Sequence, residues 1–267
     1  MKTLTSLTLF LLLCFSVQGF AQENVEVYYE QNSSRDSGNN TASYFKLYAS
    51  AYLSTYKDVF EKEGFNDTSE KVVLHENEEG VLVYNETKVR KNFTRNDFYI
   101  DLNNGHIKQV LTQKGVTKKI NDIPNKIDWH ITEESKEIGK YIAIKAEVTF
   151  RGRDFEAWFT PEIPISAGPW KLYGLPGLIL EVTDKEKEYQ WHAINIKYPA
   201  EFDSEILVVN PDEIDKELSL QEALKQHLEN QAREDRLRQA RASQQGYKIE
   251  TMYSGRESWL ERVYEWE

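Results

Sequence analysis

Apolar and polar residues alternate along most of this chain, the pattern of strands with one face buried and one face wet. The longest run is residues 141–150, where Ile142, Ile144, Ala146, Val148 and Phe150 fall on one predicted face. A first strand is predicted at residues 25–29. The polar stretch 31–41 (QNSSRDSGNNT) reads as a loop. Residues 44–60 satisfy two periods at once. Tyr44, Tyr48, Tyr52 and Tyr56 recur every fourth position, while Phe45, Leu47, Ala49, Ala51 and Leu53 alternate, so periodicity alone does not choose between helix and strand.

Further on, strands are predicted in pairs. Residues 72–75 and 81–84 flank a turn at 77–80, and residues 98–102 and 107–112 flank Asn103-Asn104-Gly105, whose Asn-Gly supplies the positive φ of a tight hairpin. Strands at 116–120, 128–132, 141–150 and 154–160 follow, the last two joined by Arg151-Gly152-Arg153. Residues 178–183 and 189–197 pair across the charged turn 184–188, and the acidic tract 133–137 also reads as a solvated turn.

Beyond Pro211 the period changes. Ser219 and Glu222 have capping-box spacing, and Leu220, Leu224 and Leu228 mark one helical stripe, with a mostly charged surface after Arg233 and a stop at Gly246. Residues 259–266 alternate again and predict a last strand. The expected fold is mainly β: an antiparallel meander forming a curved sheet or incomplete barrel, plus a C-terminal surface helix. No internal repeat or domain break is visible. Residues 22–210 read as one β domain, with 211–267 as a helix and final strand packed on it.

The first residues change the picture of where this fold resides. Lys2, an apolar run and Gly19-Phe20-Ala21 make a secretory signal peptide over residues 1–21, with the apolar run shorter than the about 20 residues of a membrane span. Cys14 is the single cysteine and lies inside that run, so the mature chain carries no disulfide and no thiol chemistry. No later stretch is apolar enough to span a membrane. A net charge of −11 argues against nucleic acid as a partner. Fifteen Tyr, twelve Phe and six Trp suit half-buried sheet faces.

The most unusual stretch is residues 168–180 (GPWKLYGLPGLIL). Gly168, Gly174 and Gly177 open backbone angles closed to other residues, while Pro169 and Pro176 fix φ. Pro176-Gly177 suits the centre of a type II turn. Trp170, Leu172, Tyr173 and Leu175 are too apolar for a solvated loop. A rigid corner is expected, feeding a strand through Leu178 and Ile179. It serves either as a plug on the sheet or as a wall of a ligand pocket.

This corner resembles the signature of the GLPGLI family, a secreted family of unknown function of the Porphyromonas gingivalis type, whose name is spelled by residues 174–179. The resemblance extends over residues 43–199, through Trp129-His130-Ile131, Tyr141, Lys145-Ala146, residues 150–153, Ala157-Trp158-Phe159 and Ile163-Pro164. Ala143 departs from it, since many relatives carry cysteine there. The resemblance implies an exported protein of Bacteroidetes-like bacteria, in the periplasm or at the outer-membrane periphery, with genes often beside those of TonB-dependent receptors. It implies no established activity. It tilts residues 44–57 toward a strand hairpin, and the meander with its helix looks similar to periplasmic lipoprotein carriers.

Catalytic motifs are missing: there is no nucleophile elbow, no phosphate loop and no His-Glu-x-x-His. The five histidines are dispersed, and His130 and His192, each following a Trp, read as ordinary strand residues rather than metal ligands. Arg151 and Arg153 bracket Gly152 and either grip an anion or partner or pair with Asp154 and Glu156. Three Asn-x-Thr sequons are idle in a bacterium. No cofactor is expected. The leading expectation is a non-enzymatic binding module holding a lipid or other apolar ligand on the concave face near Trp158, Trp170 and Tyr173. The alternative is an accessory protein docking on an outer-membrane receptor through the charged helix.

Overall fold

Short turns between alternating segments build nearly the whole molecule. The computed structural model describes residues 23–34, 40–59, 74–76, 82–84, 94–113, 115–244 and 260–264. The expected signal segment at 1–21 and the expected turn at 77–80 lie outside the described residues. The strands are β1 (Asn24–Ser34), β2 (Asn40–Ala49), β3 (Leu53–Val59), β4 (Leu74–Glu76), β5 (Leu82–Tyr84), β6 (Thr94–Asp101), β7 (Ile107–Gln113), β8 (Val116–Asp122), β9 (His130–Ile138), β10 (Tyr141–Phe150), β11 (Arg153–Thr160), β12 (Leu178–Asp184), β13 (Tyr189–Ala200) and β14 (Lys216–Ser219), followed by helix α1 (Leu220–Gln244).

Among the described residues, β4 and β5 pair only with each other, and the other twelve strands form one open, curved sheet in the order β14-β8-β7-β6-β3-β2-β1-β13-β12-β11-β10-β9. Two antiparallel meanders are thus welded along β1 and β13, which run from Asn24 opposite Ala200 to Ser33 opposite Tyr189. This mainly β architecture is the one expected from the alternation. Residues 44–59 resolve as a hairpin, with Tyr48 opposite Thr55 and Ala49 opposite Ser54. Inward-facing Leu47 and Tyr56 are buried while Tyr52 is exposed at the turn.

Several expectations are corrected. The polar stretch after Gln31 is no loop as far as Ser34, because its backbone pairs on both sides with β2 and β13. The acidic tract 133–137 lies inside β9; as the last strand of the sheet it buries almost nothing, so charge is tolerated while its backbone still pairs with β10. In β10, Ile142 turns to solvent while Tyr141 and Ala143 are buried, and the alternation changes phase near Ile144, beside an irregularity in the pairing with β9. Strand β14 had no sequence signal: four residues added in parallel to β8. Residues 260–264 are irregular, not a strand. Their amides find a turn carbonyl instead of a sheet edge, as described below.

The capping box forms as expected. The Glu222 amide donates to Ser219 Oγ at 3.2 Å, and the Ser219 amide donates back to Glu222 Oε2 at 2.9 Å. Leu220 is buried with Ile120 and Tyr264, and Leu224 packs beside them, but Leu228 and Leu237 are exposed. Among the described residues, the apolar packing of the helix is at its first turns.

Candidate functional site

The GLPGLI corner is buried against one face of the sheet. Leu172 and Leu175 are almost fully buried, and Trp170 and Tyr173 nearly so. Trp170 stacks on Trp191 of β13 and meets Phe150 edge-on at 5.8 Å. The corner is also tied by its backbone. Leu178 and Ile179 donate to the carbonyls of Ile163 and Ala167, both at 3.0 Å, and Ser166 Oγ donates to the Leu175 carbonyl at 2.7 Å. From outside the corner, Trp129 Nε1 donates to the Tyr173 carbonyl at 2.9 Å. Burial pushes the Tyr29 phenol far above its ordinary range, and its hydroxyl donates to the Ile179 carbonyl.

The turn chemistry differs from the expected type II turn. The Gly177 amide donates to the Leu175 carbonyl at 2.8 Å, closing a three-residue turn around Pro176, and Gly174 rather than Gly177 takes positive φ, at 98°. Gly177 is required by close approach: a Cβ there would lie 2.1 Å from the Thr160 carbonyl oxygen.

The sheet face on which the corner packs is therefore occupied by the chain itself, and the expected trio of aromatics is split. Trp158 is on the opposite face of β11 from Phe155 and Phe159. There Lys136 sits 4.3 Å from its ring and Glu156 accepts from its indole nitrogen at 3.1 Å. Trp170 and Tyr173 are inside.

Arg151 and Arg153 do not form one grip, and neither pairs with Asp154 or Glu156. The two-residue turn at Arg151 (φ 49°) and Gly152 (φ 76°) has both φ values positive, as a tight hairpin requires. It sends the two guanidinium groups to different clusters. Arg153, fully buried, reaches Asp184 and Glu188, the latter at 2.8 Å, and faces the Tyr189 ring at 4.9 Å. Asp154 is held instead by Thr149 and Lys185, and Glu156 by Lys145 at 3.0 Å.

Arg151 grips Asp122, at the end of β8, with two nitrogens at 2.6 and 3.0 Å. Lys171, from the middle of the corner, places its ammonium 2.8 Å from Asp122 Oδ2 and 2.8 Å from Glu261 Oε1, and Glu261 also accepts from Arg151. The side chains of Arg151, Lys171 and Asp122 are at most 2% exposed. Burial raises the Asp122 carboxyl, but the Lys171 and Arg151 cations outweigh it and hold the group below its ordinary value. Burial disfavours the Arg151 charge as well, and Glu261 and Asp122 more than compensate. Sequence reasoning missed Lys171, Asp122 and Glu261. The available signal was a lysine between Trp170 and Leu172, a cation in a segment otherwise apolar enough to be buried, which demands a carboxylate.

Beside this cluster is a pocket of about 240 Å³ with Phe98, Trp170, Leu260 and Tyr264 as apolar wall and Lys171 and Glu261 as polar groups. A second pocket, about 220 Å³, lies between Asp97, Tyr99 and the segment around Val208 and Asn210. Among the described residues no three His, Cys, Asp or Glu side chains are grouped to hold a metal. No helix among them is long and apolar enough to cross a membrane.

Residues 150–181 match the sequence model of a family described as a protein of unknown function, Porph_ging, which agrees with the resemblance read from the GLPGLI segment. No curated protein matches the chain. Among solved structures, PNGF-II in one crystal form is 17% identical at a TM-score of 0.50, over 75% of this chain and 32% of that one. A second crystal form gives 16% and 0.48, over 73% and 31%. This chain thus spans about a third of the PNGF-II chain, and at 17% identity what is shared is a fold. A LolA superfamily protein of Nitrosomonas europaea is 10% identical at a TM-score of 0.30, over 71% of this chain and 92% of that one.

Proposed function

We propose that this chain is a non-enzymatic binding module of the bacterial envelope whose site is the pocket beside Trp170, not the sheet face that the corner covers. One observation carries the reading: an aromatic and aliphatic wall of Phe98, Trp170, Leu260 and Tyr264 meets a buried ammonium, Lys171, and a carboxylate, Glu261, at one end. Binding sites for amphiphilic molecules combine such a wall with a few placed polar groups. At about 240 Å³ the pocket suits a compact ligand or the end of a longer one. Export by the signal segment and an outer-membrane location belong to the same reading, supported by the apolar N-terminal run and the GLPGLI resemblance.

Native mass spectrometry of the mature chain, purified gently from its own periplasm, tests this. A bound mass of a few hundred daltons (roughly what such a pocket holds) that is lost on unfolding supports it. Bare protein, or an adduct that Phe98→Trp leaves unchanged, overturns it.

A second reading is an accessory protein on a TonB-dependent receptor. What favours it is the exposed second half of α1, with Arg233, Arg236, Arg238 and Arg241 on a helix whose apolar packing, among the described residues, is at its start. Deleting residues 233–244 and comparing co-purified envelope proteins tests it, and an unchanged set counts against that helix.

A further inference from the structure

We infer that residues 260–264 occupy, within the chain, a docking site for an extended peptide of acidic, basic and aromatic pattern, and that a partner protein carrying such a segment binds there by displacing them. The segment is held as a bound peptide would be. The amides of Arg262 and Val263 both donate to the Arg151 carbonyl, at 2.9 and 3.1 Å, so main-chain recognition comes from a hairpin turn and not from a sheet edge. The acid, Glu261, enters the buried cationic pair Arg151 and Lys171. The base, Arg262, meets the charged turn of β12 and β13 through Glu186 at 3.0 Å. The aromatic, Tyr264, lies 5.3 Å from the Arg151 guanidinium, and Leu260 packs on the main core.

The receiving side is assembled from distant parts of the fold: Asp122 on β8, Arg151 at the β10–β11 turn and Lys171 in the corner. It is also where the backbone is strained. Trp170, which no tight hairpin explains, is one of three non-glycine residues with positive φ among those described, at 56°. Strain of this kind persists where the surroundings over-determine it, and it clusters at ligand sites. Gly152 leaves room for the segment: a Cβ there would lie 2.8 Å from Val263 Cγ2. Each recognition element of the segment is a short local pattern that another protein can present: an acid, a base next to it and an aromatic two positions later. The inference goes beyond the small-ligand reading and competes with it, because Leu260, Glu261 and Tyr264 also line that pocket; peptide binding and a bound mass lost on unfolding tell the two apart.

The test uses the full chain and a fluorescent peptide of residues 257–267 (ESWLERVYEWE). Anisotropy titration of the wild-type chain should give weak binding, because the internal segment holds the site most of the time. Full-length Glu261→Gln should bind the same peptide about tenfold more tightly, as apparent affinity scales with the open fraction. A peptide with Gln at the Glu261 position should lose about as much, having given up its charge-assisted contacts. Equal binding to both chains, or no discrimination between the two peptides, overturns the proposal. Hydrogen exchange on the unaltered chain decides it even if the variant misfolds. The Arg262 and Val263 amides should exchange by local opening while β11 stays protected. Protection of those two amides equal to that of β11 makes the segment permanent core and ends the proposal.

Discussion

The indole of Trp170 lies parallel to that of Trp191, with 6.3 Å between centroids and 11° between planes. This stack joins the GLPGLI corner to β13, the strand along which the two meanders meet, so the corner is a structural keystone of the sheet. Trp170→Ala should therefore destabilise the protein by about 3–5 kcal/mol, the range for deleting a buried large aromatic. Urea unfolding followed by tyrosine and residual tryptophan fluorescence measures it. A loss below about 1 kcal/mol, the level of an ordinary surface change, would mean that the stack does not hold the corner.

Close approach and positive φ separate two glycines. Gly177→Ala puts a methyl 2.1 Å from the Thr160 carbonyl oxygen, backbone that cannot swing away. It should cost upwards of about 2 kcal/mol through overpacking. Gly115→Ala, at φ 76° with open space around it, should cost only about 1 kcal/mol from the left-handed backbone. Thermal midpoints of the two variants, compared side by side, give the order; the reverse order would contradict the packing described for the corner.

Asp122 makes stability depend on acid. Its folded value is depressed, so its contribution is fully present above the unfolded carboxyl value, about 3.9, and is lost as pH falls through the lower folded value. Asp122→Asn should lower stability at pH 7 by about 3–5 kcal/mol, because two buried cations lose a carboxylate. That deficit should shrink below about pH 4 as the wild-type group itself protonates. Denaturant midpoints at pH 7 and at pH 3 check the sign; a deficit that is constant with pH would show that charge is not its source.

Ser219 controls a helix with little other support. Ser219→Ala removes the acceptor of the Glu222 amide and should cost about 1 kcal/mol of helix stability. Among the described residues the apolar packing of α1 is at its first turns, so the loss should appear as lower helical circular dichroism with little change in the cooperative melt of the sheet. An equal loss in both signals would mean that α1 and the sheet unfold as one.

Much of the site was not legible in the chain. Arg151 and Arg153 were identifiable as unusual, but their destinations were not, because Asp122, Asp184 and Glu261 are remote in sequence and no spacing rule links them. Trp158 and Trp170 looked like neighbours in one aromatic face. Strand alternation places Trp158 outward, while Trp170 is buried with the corner that carries it.

Local physics determined most of the elements. Hairpin turns such as Asn103-Asn104-Gly105, the two-residue period of the strands and the Ser219 cap are each encoded within a few residues, where backbone preference and nearest-neighbour hydrogen bonds dominate. So is the demand that the apolar corner be buried. What only the tertiary structure decided is where distant segments meet: β1 against β13, β14 in parallel on β8, and Glu261 between Arg151 and Lys171. Those pairings are selected by which arrangement buries the corner and neutralises its lysine together, a condition on the whole fold that no short stretch of sequence contains.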